Sequence, residues 1–252
     1  LSLLGLAKAG LDVVTGAIGA VAGRFGDLIS AAEGAADAGA RVEMVWGGTG
    51  EAIGFVAARA KEQANALGLS RAAYLSNVGA LGQLTKSLGV NELAAAGIAT
   101  SFAELAPKLA AYAGVEAEVA SSALEGALLG KTKGLAALGI AITDADKATA
   151  ALRLGIQGEM KDWTEAQTAQ VLYAAAMEKT KAAQDAWAGN SGDVEVSMQR
   201  IRASIDDAKA AIGERLLPII APLVQAFADK LPRAIDTAMG VISPFFTFLQ
   251  QS

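Results

Sequence analysis

An all-α fold is what this sequence predicts, and three observations carry the prediction. Apolar residues recur at three- and four-residue spacing through the long segments. Short joints of glycine, an aliphatic residue and a capping residue cut those segments to length. No window shows period-two alternation with β-branched enrichment, so no strand is expected. Composition agrees. At 53% hydrophobic and 19% charged over 252 residues, with a mean hydropathy of +0.37, the chain is too apolar to remain disordered. Much of the apolar count is alanine and only 5% of residues are aromatic, so the helices should pack close.

Taken in order, residues 1–45 read as an apolar Ala/Gly-rich helical segment, 46–190 as the main helical region, and 191–252 as a C-terminal helical segment with proline kinks. In the first, Gly16, Gly19, Gly23 and Gly26 fall on one side of any helix. Each glycine costs a helix about 1 kcal/mol relative to alanine, so the segment either meets a closely approaching partner helix or stays a loose apolar tract. In the main region the joints are Gly68-Leu69-Ser70, Gly89-Val90-Asn91 and Gly114-Val115-Glu116, where the glycine takes a left-handed cap and Ser70 or Asn91 opens the next helix. After Gly139, Thr143 is a cap for the following helix. The helix from Ser70 carries Tyr74, Leu75, Val78, Leu81 and Leu88 on its apolar face. The next carries Ile98, Phe102, Leu105, Leu109 and Tyr112 in a heptad seam, with Pro107 expected to kink or break it. Thr164 and Gln167 form a capping box that opens a helix ended by "GNSGD" at 189–193. A second seam runs Val194, Met198, Ile201, Ile205, Ala208 and Ile212. Its spacing suits a coiled coil or a core helix of a bundle, before Pro218 and Pro222 interrupt.

The composition removes most chemistry. There is no histidine and no cysteine, which excludes a Ser-His-Asp triad, thiolate ligands and cysteine nucleophiles. Net charge is −5 with scattered lysines and arginines, so sequence-specific nucleic-acid binding is not expected. "GALLGKTKG" at 126–134 ends like a phosphate loop in Gly130, Lys131 and Thr132, but Glu125 stands where the first glycine is required and no strand precedes it. The carboxylate pairs Glu116/Glu118, Asp144/Asp146 and Asp206/Asp207 are spaced too closely to share a helix face and read as solvated or first-turn residues. Trp46, Trp163 and Trp187 fall near helix ends and read as local packing or contact with a neighbour, ahead of a ligand box. No catalytic, cofactor-binding or metal-ligating residue is therefore assigned, no cofactor is expected, and the chain is not read as an enzyme. Apolar runs at 13–23, 216–224 and 237–249 are shorter than the roughly 18–20 residues of a membrane span. They permit a second functional reading, a membrane-active helical protein that inserts apolar hairpins into a cell envelope.

Four stretches resemble, in the same order, segments of the tail tape measure proteins of long-tailed bacteriophages. They are "ANALGLSRAAYLSNVGALGQLTKSLGV" (64–90), "ASSALEGALLGKTKGLAALGIAIT" (120–143), "WTEAQTAQVLYAAAMEKTKAAQDAW" (163–187) and "SMQRIRASIDDAKAAIGERLLPIIAPL" (197–223). The likeness covers roughly residues 40–225. It implies a helical structural virion protein that lies in the lumen of the tail tube, sets tail length during assembly and leaves at genome ejection. The implied partners are the tail tube protein, the tail tip and distal tail proteins, tail assembly chaperones and, transiently, the host membrane. The two seams add an expectation of self-association, as a trimer or hexamer matching tail symmetry. Residue 1 is Leu and members of the family are longer, so a part of a longer chain is expected, folded or used for attachment, with the extended ruler helix elsewhere.

Overall fold

Every regular element is a helix and none is a strand among the residues described by the structure, a computed structural model: 27, 29–47, 50–189 and 197–218. The chain divides into two units. In one, residues 1–32 with 209–252, the described positions 27, 29–32 and 209–218 are helical. The glycine row Gly16 to Gly26, the stop at 190–193, Val194, Pro222 and the apolar runs at 13–23 and 237–249 lie outside the described residues.

The other unit, 33–208, is a helical bundle. Its elements are α1 (33–46), α2 (Gly50–Gln63), a 3-10 turn (Asn65–Leu67), α3 (Arg71–Ser87), α4 (Glu92–Ala113), α5 (Ala117–Leu128), α6 (Lys133–Ala137), α7 (Asp144–Arg153), a second 3-10 turn (Met160–Asp162), α8 (Glu165–Lys179), α9 (Lys181–Gly189) and α10 (197–208). Helix α4 is the hub and packs on α2, α3, α5 and α9. It can serve four neighbours because alanines line it on several sides: Ala95, Ala96, Ala99, Ala103, Ala106 and Ala110 are all buried, letting helix axes approach closely. Ile98, Phe102, Leu105 and Leu109 fill the space between. Tyr173 of α8 closes over Phe102, with ring centroids 5.4 Å apart, and its hydroxyl donates to Ser101 Oγ at 3.1 Å.

Two expectations meet the structure here. The seam from Ile98 packs within the chain, with Ile98, Phe102, Leu105 and Leu109 buried and its last member, Tyr112, half exposed. At Pro107 a break does not occur: α4 runs from Glu92 to Ala113 with the proline inside it.

The ends of the helices follow local rules. Gly68, Gly89, Gly114 and Gly139 have φ of 72°, 81°, 67° and 81°. The amide after each, on Leu69, Val90, Val115 and Ile140, donates to the carbonyl five residues back, which closes the helix. Ser70 Oγ accepts from the Ala73 amide and Asn91 Oδ1 from the Ala94 amide, opening α3 and α4. Glu116, in the same position before α5, makes no side-chain cap. Thr143 with Asp146, and Thr164 with Gln167, form reciprocal capping boxes.

Helix α3 contains two mid-helix glycines, and its neighbour explains them. Gly79 faces the Arg41 side chain and Gly82 faces the indole of Trp46, both from α1; a Cβ at Gly82 would overlap Trp46 Cζ2. The two gaps let α1 lie against α3 and bury Trp46 completely. Helix α8 is buried on two sides. Ala169 and Ala176 join the main core, while Val171 and Ala175 meet Ala150 and Ala151 of α7 in a smaller cluster with Trp163 beside it.

Candidate functional site

Two features of the 33–208 unit gather polar chemistry: a buried carboxylate and a surface groove. The carboxylate is Glu104, 6% exposed in the middle of α4. Arg59 on α2 meets it through both nitrogens of a fork, Nε donating to Oε1 at 2.9 Å and Nη2 donating to Oε2. Tyr74 on α3 donates its hydroxyl to the same Oε1 at 2.9 Å. Burial, followed by the adjacent Glu104 charge, pushes the Tyr74 phenol well above its ordinary range. Burial alone would lower the Arg59 pKa, but its hydrogen bond to Glu104 and the charge behind it raise it on balance. The phenol is therefore held protonated and the guanidinium charged, with the phenol proton and two guanidinium donors directed at Glu104. The three bonds tie α2, α3 and α4 together.

The groove has a volume of about 900 Å³. Pro107, Lys108 and Tyr112 of α4 form one side, Gly114 to Ala117 the end, and Ala183, Ala186 and Trp187 of α9 the other side. Leu67 to Leu69 and Gln199 complete the rim. Alanines contribute much of its lining. It offers one cation, Lys108, one carboxylate, Glu116, and two aromatic edges, which suit contact more than bond-making.

The residues singled out by sequence are scattered. Gly130 has φ 81°, its amide donates to the Ala127 carbonyl, and the Lys131 amide donates to the Gly126 carbonyl. The would-be phosphate loop is thus another helix-closing joint, its amides already used. Asp146 caps α7, and its carboxyl is held at a pKa of about 2 by the Thr143 backbone amide, then the Thr143 hydroxyl, then Lys179. Asp144 pairs with Lys147 at 2.9 Å. Asp207 accepts from the Arg71 amide at 2.8 Å. Trp46 lies in the core with Lys86 Nζ 5.8 Å from its ring centroid, Trp163 precedes α8, and Trp187 edges the groove. No group of three or more carboxylates or other potential metal ligands converges among the described residues. Among them, too, no helix is long and apolar enough to cross a membrane.

Sequence reading missed Glu104, Arg59 and Tyr74 as a set. The one local signal was a carboxylate interrupting the apolar run between Phe102 and Leu105. Comparison with known proteins adds no assignment: no family model, curated protein or solved structure matches the chain.

Proposed function

We propose that this chain is a folded portion of a tail tape measure protein of a long-tailed bacteriophage, acting in the tail tube lumen to set tail length and released during genome ejection. The observation that carries the reading is the ordered set of four stretches, 64–90, 120–143, 163–187 and 197–223, that resemble that family. Three of them fall on helices and joints of the bundle: α3 with the turn before it, α5 to the start of α7, and α8 with α9. A structural role also suits a unit whose buried carboxylate, Glu104, is bound from two other helices by Arg59 and Tyr74.

The packing favours a particular part for this stretch in such a protein. At about 1.5 Å per residue the 22 residues of α4 span about 33 Å, yet α2, α3, α5 and α9 fold back along it, so residue count is not converted into length here. The segment is a folded or attachment element, and the extended ruler belongs to other parts of the parent protein. Its partners are the tail tube protein, the tip and distal tail proteins, and the assembly chaperones. In-frame deletion of codons 33–208 from the phage gene is the test. Failed tail assembly is expected for an attachment element and proportionally shortened tails for a ruler segment. Infectious particles with tails of normal length would refute the reading.

A further inference from the structure

Helix α7 is held to the bundle chiefly through one side of α8. Its two buried residues are alanines, Ala150 and Ala151, which meet Val171 and Ala175 in a cluster separate from the main core. An alanine methyl covers little apolar area, so this contact contributes far less than the leucine, isoleucine and phenylalanine packing along α4. The backbone turn bonds of the segment close on itself: the Leu154 amide donates to the Ala150 carbonyl, Ile156 to Ala151 and Asp162 to Glu159. Two ion pairs reach across, Lys179 Nζ to Asp146 at 3.1 Å and Arg153 Nη1 to Glu178 at 3.4 Å. They clasp the two ends of α7 to adjacent residues of α8. The closed arrangement also strands a donor, because the Trp163 indole N–H is enclosed without an acceptor. Helix α8 has other support: Ala169 and Ala176 lie in the main core, and Tyr173 bonds to Ser101.

We infer that residues 144–163 form a lid that lifts from α8 as a unit while the rest of the 33–208 bundle stays folded, uncovering the apolar face of Val171 and Ala175. The ends of the segment permit it. Ile140, buried in the main core, anchors the chain before the lid, and Thr164, the cap of α8, anchors the chain after it. The lid therefore swings on the residues between Ile140 and Asp144 at one end and on Trp163 at the other. Its larger apolar side chains face outward, with Leu152 79%, Leu154 45% and Met160 41% exposed. Closure thus buries alanines and leaves leucines outside, the reverse of a helix committed to a core. A segment with so little buried apolar surface opens at a lower free energy than the bundle unfolds. The clasp sets the balance. Its charges are partly open to solvent, so added salt screens them and shifts the lid towards open. This inference rests on α7 and α8 alone and stands apart from the functional reading above.

Native-state hydrogen exchange of the full 252-residue chain, read by mass spectrometry, is the test. The amides of α7 are expected to exchange about a hundredfold or more faster than those of α4, and to do so together through one opening. Arg153→Met/Lys179→Met removes both ion pairs and should speed α7 exchange roughly threefold to tenfold while leaving α4 unchanged. About 1 M sodium chloride, where the screening length is about 3 Å, should speed the wild type likewise and barely alter the double variant. Because the chain has no cysteine, Ala175→Cys places a lone thiol beneath the lid and Ala99→Cys one in the main core. A thiol reagent should modify the first through the opening that governs α7 exchange and the second only on global unfolding. The exchange measurement on the unsubstituted chain stands even where a cysteine variant fails to fold. Amides of α7 as slow as those of α4, equal modification of the two thiols, or exchange indifferent to both the double variant and salt each overturns the proposal. So does loss of protection in α8 together with α7, since the lid would then not move alone.

Discussion

Replacing Glu104 by glutamine tests whether the buried network organises the bundle as its geometry requires. The substitution keeps shape and removes the charge. Oε1 now accepts from both Arg59 Nε and Tyr74, and Oε2 accepts from Arg59 Nη2. A glutamine has one oxygen to offer. With that oxygen in the Oε1 position its NH₂ meets the Arg59 donor; flipped, its NH₂ meets two donors. Either orientation leaves a buried donor facing a donor, which costs about 1–3 kcal/mol, and weakens hydrogen bonds that had been assisted by charge. Breaking a fully buried pair costs about 3–5 kcal/mol, but the Arg59 side chain is 33% exposed and water recovers part of its solvation, so about 2–4 kcal/mol is expected. That is a large share of the roughly 5–15 kcal/mol of a typical domain. Urea unfolding followed by far-UV circular dichroism measures it as a lower midpoint at unchanged slope. The companion variant Arg59→Met/Tyr74→Phe/Glu104→Met removes every partner together and should lie within about 1.5 kcal/mol of wild type, because an apolar replacement of a buried pair strands nothing. A Glu104→Gln variant within about 0.5 kcal/mol of wild type would refute the reasoning, since a surface substitution does no more.

Three glycines separate space from conformation. Gly82→Ala forces a methyl into the Trp46 indole and should cost about 1–3 kcal/mol; Gly114→Ala has open space but a φ of 67° and should cost about 1–2 kcal/mol; Gly97→Ala, helical and open, should stabilise by about 0.5–1 kcal/mol, all read by thermal or urea unfolding. Thr164→Ala deletes the hydroxyl that receives the Gln167 amide and should cost about 1 kcal/mol, with faster amide exchange confined to the first turn of α8. The Asp146 carboxyl is lowered in the folded state from 3.8 to about 2, so its stabilising effect is complete above pH 4 and is lost as pH falls from 4 towards 2. Carboxyl-selective NMR titration should place its midpoint near 2, and Thr143→Ala should move it back towards 3.8.

What could be read from the sequence divides by distance along the chain. A cap is a contract between residues three to five apart, so Ser70, Asn91, Thr143 and Thr164 announce themselves, and the glycines at 68, 89, 114 and 139 with them. The same rule overlooked Gly130, whose following lysine suggested phosphate chemistry, and Gly155, whose following Ile156 closes α7 by donating to the Ala151 carbonyl. Contacts between distant residues left little trace. Glu104 is 45 positions from Arg59 and 30 from Tyr74, so nothing near it in sequence marked it beyond its place in an apolar stripe. Gly79 and Gly82 carried no local signal, because the side chains that need their space, Arg41 and Trp46, belong to another helix.

The two heptad seams show where periodicity stops being informative. Both step by three and four, and both invite the same reading of an apolar face awaiting a partner. The first is flanked by small residues, Ala95, Ala99, Ala103, Ala106 and Ala110, so several helices of the same chain can close around Ile98 to Leu109 and bury them. The second has Arg202 beside it and the pair Asp206-Asp207 behind, and its neighbours in the bundle meet its polar side. What those neighbours present is the amide of Asn65, the carbonyl of Ala66 and the amide at the start of α3, all of which match the polar side of α10. Hydrogen bonds to the joint before α3 therefore decide how α10 is turned, and its aliphatic edge faces out as their consequence. A heptad predicts that a stripe will be covered; the polar groups on its back determine whether the same chain covers it.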